Sequence, residues 1–331
     1  MAVLTCFGEI LIDMLPNEGS YLPIAGGAPA NVAVGYAKLG GNSRFIGGLG
    51  DDVFGEQLRH AIRRYRVDDA LLLTVPCSQT ALAFVQLDHT GKRRFSFYRH
   101  NTADVRFPLT ELAHIDWPSD GFFHFCSNTL TDPHSAYTTL AMITMAHHHK
   151  QVISFDVNLR QNLWSNVQEL ADSVERCFHF VDILKFSEEE LCYLATAKGL
   201  RSEQYLAWLQ SSFDVKVLVI SAGHKPVTLI CDDIWRQYSV PEIHAIDTTA
   251  SGDSLVAALL FHLTESSLRN ELPLRQALDN RQLLKQALKF AVQCGSFTCL
   301  SKGAFPAMPE FADVAHHFTP FELSCSALPQ G

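Results

Sequence analysis

No C-x-x-C pair occurs in the 331 residues, although nine cysteines are scattered at positions 6, 77, 126, 177, 192, 231, 294, 299 and 325. An odd count without a spaced framework excludes a disulfide-stapled scaffold and is the usage of reduced thiols in a cytoplasmic protein. Basic residues are in deficit, with 26 Lys and Arg against 35 Asp and Glu, a formal charge of −9. The chain therefore lacks the basic stripe of a general nucleic-acid binder, and no nucleic-acid partner is expected. No apolar run reaches membrane length, and no charged segment followed by an apolar one opens the chain, where Met1-Ala2-Val3-Leu4-Thr5-Cys6 runs into a strand-like stretch. No membrane partner and a cytoplasmic location follow as expectations. Two nucleotide motifs are missing as well. There is no G-x-x-x-x-G-K-[ST], and Phe7-Gly8-Glu9-Ile10-Leu11-Ile12-Asp13 has one glycine where a dinucleotide fingerprint needs three.

What is present is ordinary for a globular protein: 47% apolar and 18% charged residues, in a length sufficient for one large α/β domain or two modest ones. Short apolar runs at 3–7, 43–47, 121–126, 151–155, 183–186 and 215–220 read as buried strands. Between them, 30–38, 55–65, 133–148, 167–177, 187–197 and 202–210 carry the wider apolar spacing of helices. Such alternation predicts a mainly parallel sheet with helices on both faces. Residues 81–88 and 93–99 instead alternate in period two around His89-Thr90-Gly91-Lys92, a hairpin signal, and 11–24 is extended with Pro16-Asn17-Glu18-Gly19 as its turn. These segments predict a small sheet projecting from the body, which must pack on the body, a ligand or a second subunit. No internal repeat or flexible linker divides the chain, so 1–331 is expected to be a single domain with a lid from about 11–24 and 81–106 inserted in it. The tail after Pro320 is expected to be loosely ordered.

The most informative stretch is Ile246-Asp247-Thr248-Thr249-Ala250-Ser251-Gly252-Asp253-Ser254, where small residues lead into the apolar helical pattern of 255–263. Such a turn exposes backbone N–H groups at a helix N-terminus, where the dipole also favours negative charge. Phosphoryl transfer needs that arrangement, because its chemistry is largely positioning and charge stabilisation. Asp253 in the first turn would accept the proton of an attacking hydroxyl. The helix terminus is expected to favour its ionised form. On local sequence alone, a simple first-turn acid is an equal reading.

Asp247–Asp253 resembles the D-T-x-G-A-G-D signature of ribokinase-like sugar kinases, the phosphofructokinase-B type. Residues 26–33, Gly26-Gly27-Ala28-Pro29-Ala30-Asn31-Val32-Ala33, look like that family's G-G-x-x-x-N signature, and 47–55 is similar to its G-x-x-G-x-D-x-x-G stretch. The match runs from about residue 3 to Pro309 and includes 154–160 and 287–309. Five segments in family order make the resemblance specific. It implies a three-layer α/β/α body with a β-sheet lid, and a soluble kinase that transfers the γ-phosphoryl group of ATP to a sugar. Asp253 would be the catalytic base, with the N–H groups of Ala250, Ser251, Gly252 and Asp253 holding the developing charge. Asp13, Gly26, Gly27 and Asn31 would bind sugar hydroxyls.

Phe95-Ser96-Phe97-Tyr98-Arg99 and Asn158-Leu159-Arg160 look most like fructokinases, with 2-keto-3-deoxygluconate kinases next. Arg99 would reach from the lid over the sugar, and Arg160 would lie near the substrate or the phosphates. Ser187, Ser221, Gly223, Thr248, Gly252 and Gly303 correspond to the family's ATP-binding positions. Glu190 matches the N-x-x-E element that places Mg²⁺ through water, with Ser187 replacing its Asn. ATP and Mg²⁺ are thus implied as cofactors, and a monovalent cation is left open. Several positions depart from the pattern. Ala250 and Ser251 replace a Gly-Ala pair, which keeps the amides accessible provided neither residue needs φ > 0. Pro226 stands where the nucleotide loop usually has a second Gly, and Val292 where many members have Asn. His147-His148-His149 point in different directions on a helix and do not read as a metal site, and Leu284, Leu288 and Ala291 read as core. The expectation is phosphorylation of D-fructose to fructose 6-phosphate. The alternatives are the gluconate kinase, another ribokinase-like kinase, or a sugar-binding regulator that has lost transfer. A homodimer through the lid is a further expectation.

Overall fold

The apolar runs become two sheets in the computed structural model, which describes residues 2–87, 93–164, 166–231 and 234–318. In chain order the strands are β1 (Val3–Phe7), β2 (Leu11–Asn17), β3 (Ser20–Gly26), β4 (Asn42–Gly50), β5 (Leu72–Val75), β6 (Leu82–Leu87) and β7 (Arg93–Tyr98). They continue with β8 (Gly121–Cys126), β9 (Val152–Asp156), β10 (Ile183–Ser187), β11 (Val217–Ala222), β12 (Lys225–Cys231) and β13 (Ile234–Tyr238). The helices are α1 (Ala28–Lys38), α2 (Val53–Arg64), α3 (Pro133–His148), α4 (Val167–Cys177), α5 (Glu188–Ala197), α6 (Ser202–Ser212), α7 (Ser251–Arg269), α8 (Leu274–Ala277), α9 (Arg281–Thr298) and α10 (Phe311–His317).

The large sheet has the order β13-β12-β11-β10-β9-β8-β1-β4-β5, parallel from β11 to β5. Its central strands are buried and mostly apolar because helices cover both faces. Every residue of β8 is buried, and Phe125 stacks on its register partner Phe155 at 4.3 Å. One face carries α1, α2, α7 and α9; the other carries α3, α4, α5 and α6. This is the three-layer α/β/α body that the resemblance implied, and Leu284, Leu288 and Ala291 lie in its core. Strands β12 and β13 extend the sheet antiparallel. The ladder is irregular between Ile220 and Ala222, which accommodates Pro226, a residue with no N–H to give. Gly223 takes φ 61 as the first residue of the two-residue turn joining β11 to β12, a conformation that suits glycine.

The second sheet, β3-β2-β6-β7, is the projecting lid. Asn17 pairs with Ser20 across Glu18 (φ 37) and Gly19 (φ 81), and two positive φ values make the turn whose twist fits a hairpin. The predicted turn at 89–92 and the tail after Pro320 lie outside the described residues. Leu11, Ala81 and Ala83 form a small core with Phe95 and Phe97, so the inner face of the lid is apolar. After Tyr98 the chain leaves the lid for a 3₁₀ turn, Ala103–Val105, that packs on β4. Among the described residues no helix is long and apolar enough to cross a membrane.

Candidate active site

The carboxyl ends of β1, β8, β9 and β10 open into a cleft of about 740 Å³, roofed by the lid and closed on one side by the start of α7. Strand order reverses at β1, which has β4 on one side and β8 on the other. Open α/β sheets bind ligands at such a reversal, because the connections leave it in opposite directions and part to form a crevice.

Ala250, Gly252 and Asp253 line this cleft at the N-terminus of α7, as does Thr248 just before it. Asp247 braces the turn: Oδ1 accepts the Thr249 N–H at 2.7 Å and Oδ2 the Gly303 N–H at 2.9 Å. The N–H groups of Ile246 and Asp247 donate to the Cys299 carbonyl at the end of α9. The turn is thus held from behind; the Ser251 N–H donates to the Thr248 carbonyl at 3.4 Å, while Gly252 and Asp253, whose first-turn amides have no intrahelical partners, line the cleft. Ala250 occupies the left-handed region, φ 59 and ψ 9, so the proviso that it needs no positive φ fails. A side chain there costs about 1 kcal/mol. Ala250→Gly should raise stability by about that amount in urea unfolding with the fold unchanged.

Asp253 is 7% exposed, and its Oδ2 accepts the Asn31 Nδ2–H at 2.7 Å. Burial pushes its carboxyl above the ordinary carboxylate range; the Asn31 hydrogen bond and the positive charges of Lys185 and Arg160 pull it back, and Glu190 opposes them. The expectation that the helix terminus keeps this acid readily ionised is therefore corrected. Burial is the largest influence on it and leaves a more basic carboxylate than an exposed aspartate.

Asp13 lies on β2 in the cleft wall, not in a loop. Gly26 makes room for it, since a Cβ there would stand 2.3 Å from Asp13 Oδ2. Gly27 caps α1 at φ 113, with its hydrogen facing the Glu9 carbonyl at a spot where a Cβ would lie 2.4 Å away. Asn31 follows in the first turn of α1 and joins this wall to Asp253 across 222 residues of sequence. Arg160 lines the cleft, its guanidinium 5.7 Å from the centre of the Phe95 ring in the lid.

Arg99 is placed differently from the expectation that it reaches over the sugar. Its side chain is 3% exposed and lies outside this cleft, with Nε donating to Asp104 Oδ2 at 2.5 Å and Nη1 to the Asn128 carbonyl and Thr131 Oγ1. A buried guanidinium needs this company to repay its desolvation. Arg99 therefore anchors the last lid strand to the body.

The expected nucleotide positions separate into groups. Thr248 and Gly252 are in the cleft. Ser187 and Ser221 are register partners at the carboxyl ends of β10 and β11, with Gly223 in the next turn. Gly303, at φ 97, is tied to Asp247. Ser187 caps α5 in a reciprocal box with Glu190: its Oγ accepts the Glu190 N–H, and Glu190 Oε2 accepts the Ser187 N–H at 2.7 Å. Glu190 Oε1 also accepts the Leu159 N–H at 2.8 Å. Among the described residues no three His, Cys, Asp or Glu side chains converge as a metal cage, the His147–His149 run included. This donor set fits a Mg²⁺ carried on the nucleotide and reached through water, for which Glu190 keeps spare lone pairs.

Residues with no role assigned from sequence complete the floor. Glu9 is 1% exposed and follows β1; Oε1 accepts from Asn128 Nδ2 at 2.9 Å, and burial pushes its carboxyl up. Lys185, in β10, bonds both Asp156 oxygens at 2.9 and 3.0 Å. A readable signal existed for each: a lone charged residue inside an apolar strand or at its end must be paired if the strand is buried.

Residues 1–310 match the pfkB family carbohydrate kinase profile. "Probable fructokinase-7" of Arabidopsis thaliana is 34% identical over 317 residues, covering 93% of this chain and 90% of the relative. Among solved structures, the fructokinase with bound ATP from Xylella fastidiosa superposes with a TM-score of 0.85 at 32% identity, covering 95% of this chain and 97% of that one. The fructokinase from Vibrio cholerae O395, in a form with fructose, ADP and calcium ion bound, gives 0.85 at 31% identity, covering 96% and 98%.

Proposed function

The chain belongs to the pfkB family of carbohydrate kinases, and within that family we propose that it is a cytoplasmic fructokinase that converts D-fructose and ATP to fructose 6-phosphate and ADP. The observation that carries this reading is the Asn31–Asp253 hydrogen bond, which puts the polyol-binding wall, the carboxylate and the first-turn amides of α7 around one point. Asp13, Gly27 and Asn31 orient the sugar, and Asp253 takes the proton of the acceptor hydroxyl as its oxygen bonds to phosphorus. The bond from the γ-phosphorus to its bridging oxygen breaks, and the electron pair leaves with ADP. The N–H groups of residues 250–253 take up the charge that spreads onto the phosphoryl oxygens. Mg²⁺ bound to the nucleotide supplies charge neutralisation at the phosphates. Leu15, Val85, Phe95 and Phe97 give the cleft an apolar roof that keeps out water, the competing acceptor.

A neutral sugar is favoured over a 2-keto-3-deoxy acid. Glu9, Asp13 and Asp253 line the acceptor side of the cleft, and of the two arginines suited to a substrate carboxylate, Arg99 is committed to Asp104. In a coupled ADP-release assay over fructose, 2-keto-3-deoxygluconate, ribose, adenosine and fructose phosphates, fructose should show the highest kcat/KM. Best turnover on the acid sugar or the nucleoside would reject fructose as the acceptor. The non-catalytic reading is disfavoured by the Gly252-Asp253 pair, which sets a carboxylate beside the first-turn amides of α7 in the same cleft.

A homodimer through the lids is part of this proposal. Tyr21 and Tyr98 are 45% and 65% exposed on the outer face of the lid, and each packs edge-on against Phe84 between them, at 4.9 and 5.3 Å. Exposed aromatics in a row are typical of interface centres. Light scattering at micromolar concentration should give twice the chain mass, and Tyr98→Glu should halve it; a monomeric parent refutes the pairing.

A further inference from the structure

We propose that Lys185 is a catalytic residue of the transfer itself: its ammonium binds the phosphoryl group in flight beside the first turn of α7, and Asp156 holds it there. The proposal rests on the kinase reading above and adds to it a charged group from the opposite side of the cleft.

Lys185 sits in β10 between Leu184 and Phe186, both buried in the helix-covered face of the sheet, and is itself 7% exposed. An ammonium so placed must be paired, and Asp156 at the end of the neighbouring strand β9 pairs it through both oxygens. Two of the three ammonium N–H donors are used by that contact, which leaves one direction of approach. The cleft lies in it. Lys185 is part of the cleft lining, and a Cβ built on Gly252 would come 3.1 Å from Nζ. Gly252 is the second residue of α7, so the ammonium lies against the helix turn whose amides face the proposed phosphate position. A larger residue at 252 would stand between the cation and that position. The absence of a side chain there is thus needed for the cation to share a ligand with the amides, quite apart from backbone freedom.

A purely structural ion pair explains less. Buried pairs can often be replaced by well-packed apolar side chains without loss of stability. Nothing in sheet packing requires the cation to border the helix mouth. Its neighbours also make electrostatic sense: of the charges acting on Asp253, that of Lys185 is the strongest that stabilises the carboxylate. In the transition state the group in transit is planar and its charge is spread over three equatorial oxygens, a geometry that neither the tetrahedral phosphate of ATP nor that of the product presents. An ammonium beside them stabilises the transfer more than it stabilises bound ATP. Lys185 keeps its proton throughout. The acceptor proton goes to Asp253, and the new O–P bond forms as the bond to the leaving ADP oxygen breaks.

The test uses the full-length protein with Lys185→Gln and Asp156→Asn combined, which removes both charges, leaves the net charge unchanged and keeps a hydrogen-bonded pair. Fructose affinity by calorimetry is expected within about twofold of the parent. The expected fall in kcat is about 10²–10³-fold, the usual loss for one transition-state donor. Affinity for ADP with aluminium fluoride, which mimics the phosphoryl group in transit, should fall by about the same factor, while ADP alone binds as before. A structural role would leave that mimic unaffected. Lys185→Arg, which keeps the ion pair and the charge but moves the donor, serves if the double variant does not fold, and is expected to lose about 10–10²-fold in kcat. Parental kcat and mimic affinity in either folded variant overturn the role of Lys185 while the kinase reading stands. An inactive parent overturns that reading and this role with it.

Discussion

Asp253→Asn should lower kcat by about 10³-fold or more while fructose still binds with near-parental affinity. The amide keeps an oxygen for the Asn31 Nδ2–H, so the wall of the cleft survives, but it can take no proton from the acceptor. Loss in kcat without loss in sugar affinity would mark a group that acts on the reacting atoms. The pH dependence follows from the same carboxylate. Activity needs it ionised, and burial holds its carboxyl above the ordinary range, so the acid limb of kcat/KM should lie above the usual aspartate titration near pH 4. The same shift has a sign for stability. A native state that holds its proton more tightly than the unfolded chain loses stability as pH rises from the unfolded pKa through the raised folded one. Proton uptake by Asp253 thus favours the fold in a range where it disfavours turnover. Activity and thermal midpoint, followed over the same acid range in the parent and in Asp253→Asn, separate the two effects. Near-parental turnover in the variant would remove Asp253 from the chemistry.

The second large effect is on the acceptor. Asp13→Ala should raise the fructose KM by about 10²-fold with a smaller change in kcat, because hydrogen bonds from hydroxyls to a carboxylate are worth about 1.5–3 kcal/mol each. Gly26→Ala should reproduce the direction of this change without touching Asp13, since its Cβ would displace the Asp13 carboxylate from the 2.3 Å contact point. Steady-state kinetics on both variants checks the pair. An unchanged KM in Asp13→Ala would show that the sugar lies elsewhere in the cleft.

Local signals in the sequence carried as far as local forces act. The start of Pro133–His148 was legible to the residue because its signals are adjacent: Asp132 caps it by accepting from His134 and Ser135, and Pro133 opens it. Val3–Phe7 and Gly121–Cys126 were equally plain, as apolar runs bounded by turn residues. Leu72–Val75 was too short to register, and Pro226 disguised β12. Strand order was illegible, since it depends on which parallel strands meet across helices. The site divides in the same way. The turn at 247–253 could be read as phosphate-facing, yet the left-handed Ala250 could not, because small residues in sequence do not report φ. Arg99 shows the limit best. The family resemblance pointed it towards the sugar, while Asp104, Asn128 and Thr131 turned it into the body. Lys185 was visible as a charge in an apolar strand, but its partner Asp156 belongs to the next strand of a sheet whose order was unknown.

A structure with fructose and a non-hydrolysable ATP analogue bound would show the reacting groups together. The fructose 6-hydroxyl should lie about 2.6–3.2 Å from an Asp253 carboxylate oxygen, with the terminal phosphate against the 250–253 amides and in line with that hydroxyl. A sugar whose hydroxyls all face away from Asp253, or a phosphate bound apart from the start of α7, would contradict that arrangement.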